Sequence, residues 1–121
     1  MSRSHEQEAT SMVPLSTPVF QILLSLNDRD LHGYGIIQDI SARTEGEVIL
    51  STSTLYGAIK RMIRDDLIQQ SDMRPDPDLD DERRRYYRIT DFGRDVARCE
   101  ARRIEKLAEM IKKTRFVERT S

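Results

Sequence analysis

The feature that most constrains this chain is the stretch Leu50-Ser-Thr-Ser-Thr-Leu-Tyr-Gly-Ala-Ile-Lys-Arg-Met-Ile-Arg-Asp-Asp-Leu-Ile68, which carries an amphipathic helix together with its start signal. Ser51 is a good N-cap, because its hydroxyl can accept from a backbone N–H that the first turn leaves unpaired. Leu55, Ala58, Ile59, Met62 and Ile63 then recur at the i, i+3, i+4, i+7, i+8 spacing of a single apolar stripe. The opposite side receives Ser53, Gly57, Lys60, Arg61 and Arg64, with Tyr56 on the flank, and meets no acid before Asp65. Glycine in an exposed helix interior costs roughly 1 kcal/mol against alanine, so Gly57 points to a place that something approaches closely. Small polar residues in the first turn, followed by Lys and Arg, suit a helix that meets base edges with its N-terminal half and phosphates along its length. The same pattern also fits an ordinary helix with a solvated charged face.

Composition narrows the classes. A chain of 121 residues makes one domain with at most an appendage, and a formal net charge of −1 means that any nucleic-acid function must rest on local clustering. The single cysteine, Cys99, excludes an internal disulfide framework and a Cys-rich zinc site, and fits a reducing cytoplasm. No apolar run reaches the length of a membrane span, and the first residues lack the hydrophobic region of a signal peptide, so a soluble cytoplasmic protein is expected. Two histidines far apart, one cysteine, no glycine-rich phosphate loop and no metal-ligand spacing leave nothing from which to build a catalytic site, a metal site or a cofactor site.

Residues 1–14 are polar and read as a flexible arm, in which His5 has no companion ligand. Thr17-Pro18 opens a helix whose stripe is Val19, Ile22, Leu23 and Leu26. Phe20 and Leu24 widen that stripe, which suggests a core on one side and a partner subunit on the other. After the turn at 27–30, Leu31-His-Gly-Tyr-Gly35 leads into a second helix with Ile36, Ile37 and Ile40 inward, and glycines 33 and 35 mark a turn that passes near another surface. Glu45-Gly46 ends it, and Glu47–Leu50 is β-branched enough for a short strand. With the helix after Ser51 this makes a helix-turn-helix.

Two strands follow, residues 68–73 and 83–90, around the acidic, proline-rich loop 74–82, forming a β-wing. With Ile89 inward, Arg85 and Tyr87 share its side, whereas Arg84, Tyr86 and Arg88 face the other way. An Arg-Tyr-Arg row suits a phosphate backbone, since guanidinium forks bind phosphate oxygens bidentately; a charged edge strand kept soluble is the alternative. The acidic loop can pair with these arginines and lower their pull on DNA. Thr90 caps a last long helix on which Val96, Ile104, Leu107, Ala108 and Ile111 keep one side apolar. A domain this small cannot cover such a helix, so a second copy of the chain is expected to. Cys99, on this helix, is expected only to pack. The fold class is therefore mainly α with a small wing: a winged helix-turn-helix over residues 15–90 and a C-terminal dimerisation helix and tail over 91–121.

Three segments, His32-Gly-Tyr-Gly-Ile-Ile, Leu50 to Met62, and Arg84-Arg-Tyr-Tyr-Arg-Ile-Thr-Asp-Phe-Gly93, resemble the PadR family of winged-helix transcriptional regulators, and the likeness extends over residues 15–113. The resemblance implies a homodimer, transcriptional repression often relieved by a small molecule, and dimerisation through the C-terminal helix. It assigns DNA-facing roles to Ser53, Thr54, Tyr56, Gly57, Lys60 and Arg64, and in the wing to Arg84, Tyr86 and Arg88; Arg61 joins them from the helical face alone. Phe20, Leu24, Val96, Ile104, Leu107, Ala108 and Ile111 are the expected dimer surface. Two departures stand out. Asp66 occupies the place of the family's usual glycine before the wing, and the absence of tryptophan removes a large aromatic that members use to hold flat effectors. The expected partners are double-stranded DNA, a second copy and a small-molecule effector, with no membrane; a winged-helix protein-interaction module is the rival reading.

Overall fold

The computed structural model describes residues 5–71, 85–114 and 116. Among these described residues eight elements follow in order: α1 (His5–Ser11), α2 (Thr17–Leu26), β1 (Leu31–His32), α3 (Gly33–Arg43), α4 (Thr52–Arg64), β2 (Ile68–Ser71), β3 (Tyr86–Ile89) and α5 (Asp91–Thr114). The fold is mostly helical with a small three-stranded antiparallel sheet in the order β1-β3-β2. The acidic loop and Arg84 lie outside the described residues.

Local chemistry explains the boundaries. Ser16 caps α2 by accepting from the Val19 N–H, and Pro18 sits in the first turn, where its missing donor costs nothing. Ser51 caps α4 as the sequence indicates, accepting from the Thr54 N–H at 3.2 Å. Asp66, at φ 62°, closes α4: its N–H donates to Ile63, and the Leu67 N–H reaches back to Met62, the paired bonds of a Schellman stop. The substitution of aspartate for glycine there keeps the turn. Glu45, at φ 54°, ends α3 in the same way, with Gly46 following at φ 80°.

A single core joins these elements. Ile22, Leu23 and Leu26 of α2, Ile36 and Ile40 of α3, and Leu55, Ala58, Ile59 and Met62 of α4 are buried together with Leu67, Ile68, Tyr87 and Ile89 around the sheet. Val96 is also fully buried in this core, which corrects its assignment to the dimer surface: it sits within the first two turns of α5, where that helix still lies against its own domain. Ile63 departs from the stripe and is exposed.

Two further expectations are corrected. The N-terminal arm is not a free tail from His5 onward: α1 packs along α5, and Ala9 is wholly buried. A seven-residue helix cannot persist alone, so α5 holds it in place, with Met12 and Val13 completing a short apolar edge. Glu47–Leu50 is not a strand. Leu31–His32 takes the free edge of β3, with Leu31 opposite Tyr87 and His32 opposite Tyr86, while β2 takes the other edge, Ile68 opposite Ile89. Both edges of β3 are then filled.

A buried carboxylate ties the ends of the domain together. Glu100 of α5 is 1% exposed; it accepts from the Leu15 N–H at 2.9 Å and from both Arg103 Nε and the second guanidinium nitrogen, at 2.6 and 3.1 Å. The Arg103 bonds, together with that backbone N–H and the guanidinium charge, hold its pKa below 4.5 against the opposing effect of burial.

Candidate nucleic-acid interface

The outer face of α4 is open. Ser53, Thr54, Lys60, Arg61 and Arg64 are exposed, and Leu55, Ala58, Ile59 and Met62 fix the rotation that presents them. A Cβ added at Gly57 would touch nothing nearer than the Arg61 guanidinium at 3.7 Å, so among the described residues no neighbour requires glycine there. Arg64 leans on Asp65 through Nε at 3.2 Å, an exposed pair that holds it weakly.

Tyr56 has two roles that the helical pattern alone did not separate. It is half exposed on the flank of α4, yet a Cβ at Gly33 would overlap its hydroxyl. Gly33 is therefore the close approach that the glycine pair indicated, and Tyr56 locks α4 against the start of α3. Tyr87 lies near this junction: burial raises its phenol pKa, the neighbouring Tyr56 adds to the rise and Arg85 opposes it.

On the sheet, Tyr87 and Ile89 face inward, whereas Tyr86 and Arg88 are partly exposed, as the alternation requires. Arg85, expected on the inner side, is exposed at the strand end. The Tyr86 ring meets the His32 imidazole edge-on, centroids 5.4 Å apart. His32 in turn caps α3, its Nδ1 accepting from the Gly35 N–H at 3.0 Å. Arg88 is held by Asp30 at 3.3 Å, a partner that sequence reasoning missed. The signal was available only through β1: once Leu31 pairs with Tyr87, residue 30 falls opposite residue 88.

The expected dimer residues divide in two. Ile104, Leu107 and Ile111 are 40–44% exposed, Ala108 is exposed beside them, and Met110 on the same helix is exposed as well. Leu24 is exposed on α2 and Phe20 half-buried. Among the described residues no group of three His, Cys, Asp or Glu side chains could hold a metal, and no helix is long and apolar enough to cross a membrane. Cys99 packs at the α1 side of α5, 3.8 Å from the Thr10 hydroxyl.

This arrangement is shared with known proteins. A family model described as the transcriptional regulator PadR-like family matches residues 22–98, which takes in the helix-turn-helix, both wing strands and the root of α5. The chain belongs to the PadR-like family. That family is one of transcription regulators, not of enzymes. Among solved structures, this PadR-like chain is similar to a transcriptional regulator from Clostridium thermocellum, at 27% identity and a TM-score of 0.66, covering 78% of this chain and 89% of that one. It shares its fold with a PadR family transcription regulator from Clostridium difficile, at 24% identity and a TM-score of 0.67, covering 82% and 98%. An uncharacterized protein of Lysinibacillus sphaericus is 33% identical over 75 residues, 60% of this chain; the match spans 64% of that relative's length.

Proposed function

We propose that this PadR-like protein is a sequence-specific DNA-binding regulator that acts in the cytoplasm as a homodimeric repressor. The observation that carries the reading is the exposed face of α4, where Lys60, Arg61 and Arg64 stand without an acid before Asp65, beside the unobstructed backbone at Gly57. In a dimer joined through Ile104, Leu107, Ala108 and Ile111, with Phe20 and Leu24 alongside, two α4 helices would enter successive major grooves of a pseudo-palindrome about 34 Å apart. Ser53, Thr54, Tyr56 and Gly57 would lie nearest the bases. Lys60, Arg61, Arg64, Arg84 and Arg88 would bind phosphates, with Tyr86 as a neutral donor. Residues 15–90 would form the reading domain, and a small-molecule effector would act through the contact of α5 with it.

The test is fluorescence anisotropy of the protein against DNA from upstream of its own gene and a scrambled control, at several salt concentrations. Preference for the upstream fragment is expected, with log affinity falling against log salt at a slope of about −7 if the dimer neutralises about 8 phosphates. Absence of binding to either fragment at low salt would reject the reading in favour of a protein partner, to which the near-zero net charge is also suited.

A further inference from the structure

We propose that Asp30 is a positioning residue for DNA binding, holding the Arg88 guanidinium and the end of β2 in the geometry in which the wing meets the phosphate backbone. The inference rests on the DNA reading above and adds to it a residue on the turn between α2 and β1 that touches no DNA itself.

The geometry is specific. The Asp30 side chain is 15% exposed, whereas Arg88 is 42% exposed. One carboxylate oxygen, Oδ2, accepts from a terminal nitrogen of Arg88 at 3.3 Å and from the Ser71 hydroxyl at 2.5 Å. Those partners lie on the two different strands of the wing, β3 and β2, so a single acid on the domain body grips both sides of the hairpin. The register explains the reach: Leu31 opposes Tyr87 and His32 opposes Tyr86, which brings Asp30 opposite Arg88 on the outward face of the sheet. Among the described residues, two other cations around this turn have acids of their own, Arg29 with Asp39 and Arg94 with Asp91. Because the Asp30 bond uses one terminal nitrogen, the rest of the five-donor fork is left for a phosphate.

An acid beside a DNA-binding strand has two opposing effects, and magnitude decides between them. Asp30 and a phosphate held beyond Arg88 face each other across the solvent-exposed guanidinium, and at the dielectric constant of water their repulsion changes affinity about threefold. Leaving a long arginine side chain to be ordered only on binding costs on the order of tenfold. Pre-orientation outweighs repulsion, and Asp30 strengthens binding despite its charge.

The experiment uses the duplex that the wild-type protein enriches most strongly from a random pool, and measures anisotropy for wild type, Asp30→Ala, Arg88→Ala and the double variant. Asp30→Ala is expected to bind about tenfold more weakly, and most of that loss is expected to vanish in the Arg88→Ala background, where only the part that runs through Ser71 and the end of β2 remains. Equal or tighter binding by Asp30→Ala would overturn the proposal, as would losses that multiply in the double variant. Should circular dichroism show Asp30→Ala unfolded, Asp30→Asn, which keeps an acceptor for Ser71 and loses the charge, takes its place under the same criteria. Failure of the wild type to enrich any duplex overturns the DNA reading itself, an outcome distinct from a wild type that binds and an Asp30 variant that binds equally well.

Discussion

Gly57 isolates the cost of an interface from the cost of a fold. Nothing in the protein crowds it, so Gly57→Ala is expected to raise thermal stability by roughly 1 kcal/mol through helix propensity while weakening DNA binding, because the added methyl stands on the surface the DNA would approach. Melting followed by anisotropy on the same sample checks both signs; a variant that gains stability and binds unchanged would remove Gly57 from the interface. Lys60 and Thr54 separate in another way. Lys60→Ala should weaken all sequences alike and reduce the salt slope by about one, whereas Thr54→Ala should alter which sequence is preferred; binding curves at three salt concentrations on two operators distinguish the roles. Glycines 33 and 57, one close-packed against Tyr56 and one open, were equally visible in the sequence. Only the structure separates them, because the reason for a glycine lies in what surrounds it.

Among the elements, α2, α4 and α5 were legible because each carries a long apolar stripe with a hydroxyl or proline start signal. Of the small ones, the wing strands β2 and β3 were also legible, whereas β1 and α1 were not. β1 is two residues whose strand character comes wholly from the edge of β3, and α1 is held by residues some ninety positions away, which no local window can register. Glu47–Leu50 had the right propensity, but β1 and β2 take both edges of β3. Glu100 belongs to the same class of hidden feature: a charged residue at a stripe position looks like a surface helix residue until the Leu15 N–H and Arg103 are found around it. Its pKa is lowered on folding, so its contribution to stability is present above the ordinary carboxylate value of 4.5 and is lost as pH falls through the folded value. Glu100→Gln is therefore expected to cost about 2 kcal/mol at neutral pH, the deficit shrinking in acid. Urea titrations at pH 7 and pH 3 measure it, and a deficit independent of pH would mean that shape rather than charge holds Leu15.

For the whole molecule, the apolar far end of α5 is the surface on which the proposed dimer rests. Leu107 and Ile104 do nothing for the core of their own protomer, so Leu107→Glu is expected to leave the fold intact and yield a monomer by analytical ultracentrifugation, with sequence-specific binding reduced at least tenfold because half-sites would be engaged singly. Retention of a dimer would move the interface elsewhere. Val96, assigned to this surface from the stripe alone, lies instead near the root of the helix, where the stripe still serves the domain. That root has a mechanical consequence. Gly93 lies so close to the Leu67 carbonyl that a side chain would not fit, and the Thr90 hydroxyl donates to Asp66 and Leu67 while accepting from the Gly93 N–H. The base of the wing and the start of α5 are thus one rigid joint. A helix of 24 residues is about 36 Å long, so it works as a crank. In the proposed dimer, a change in how two such helices cross would therefore be carried through this joint into the wings.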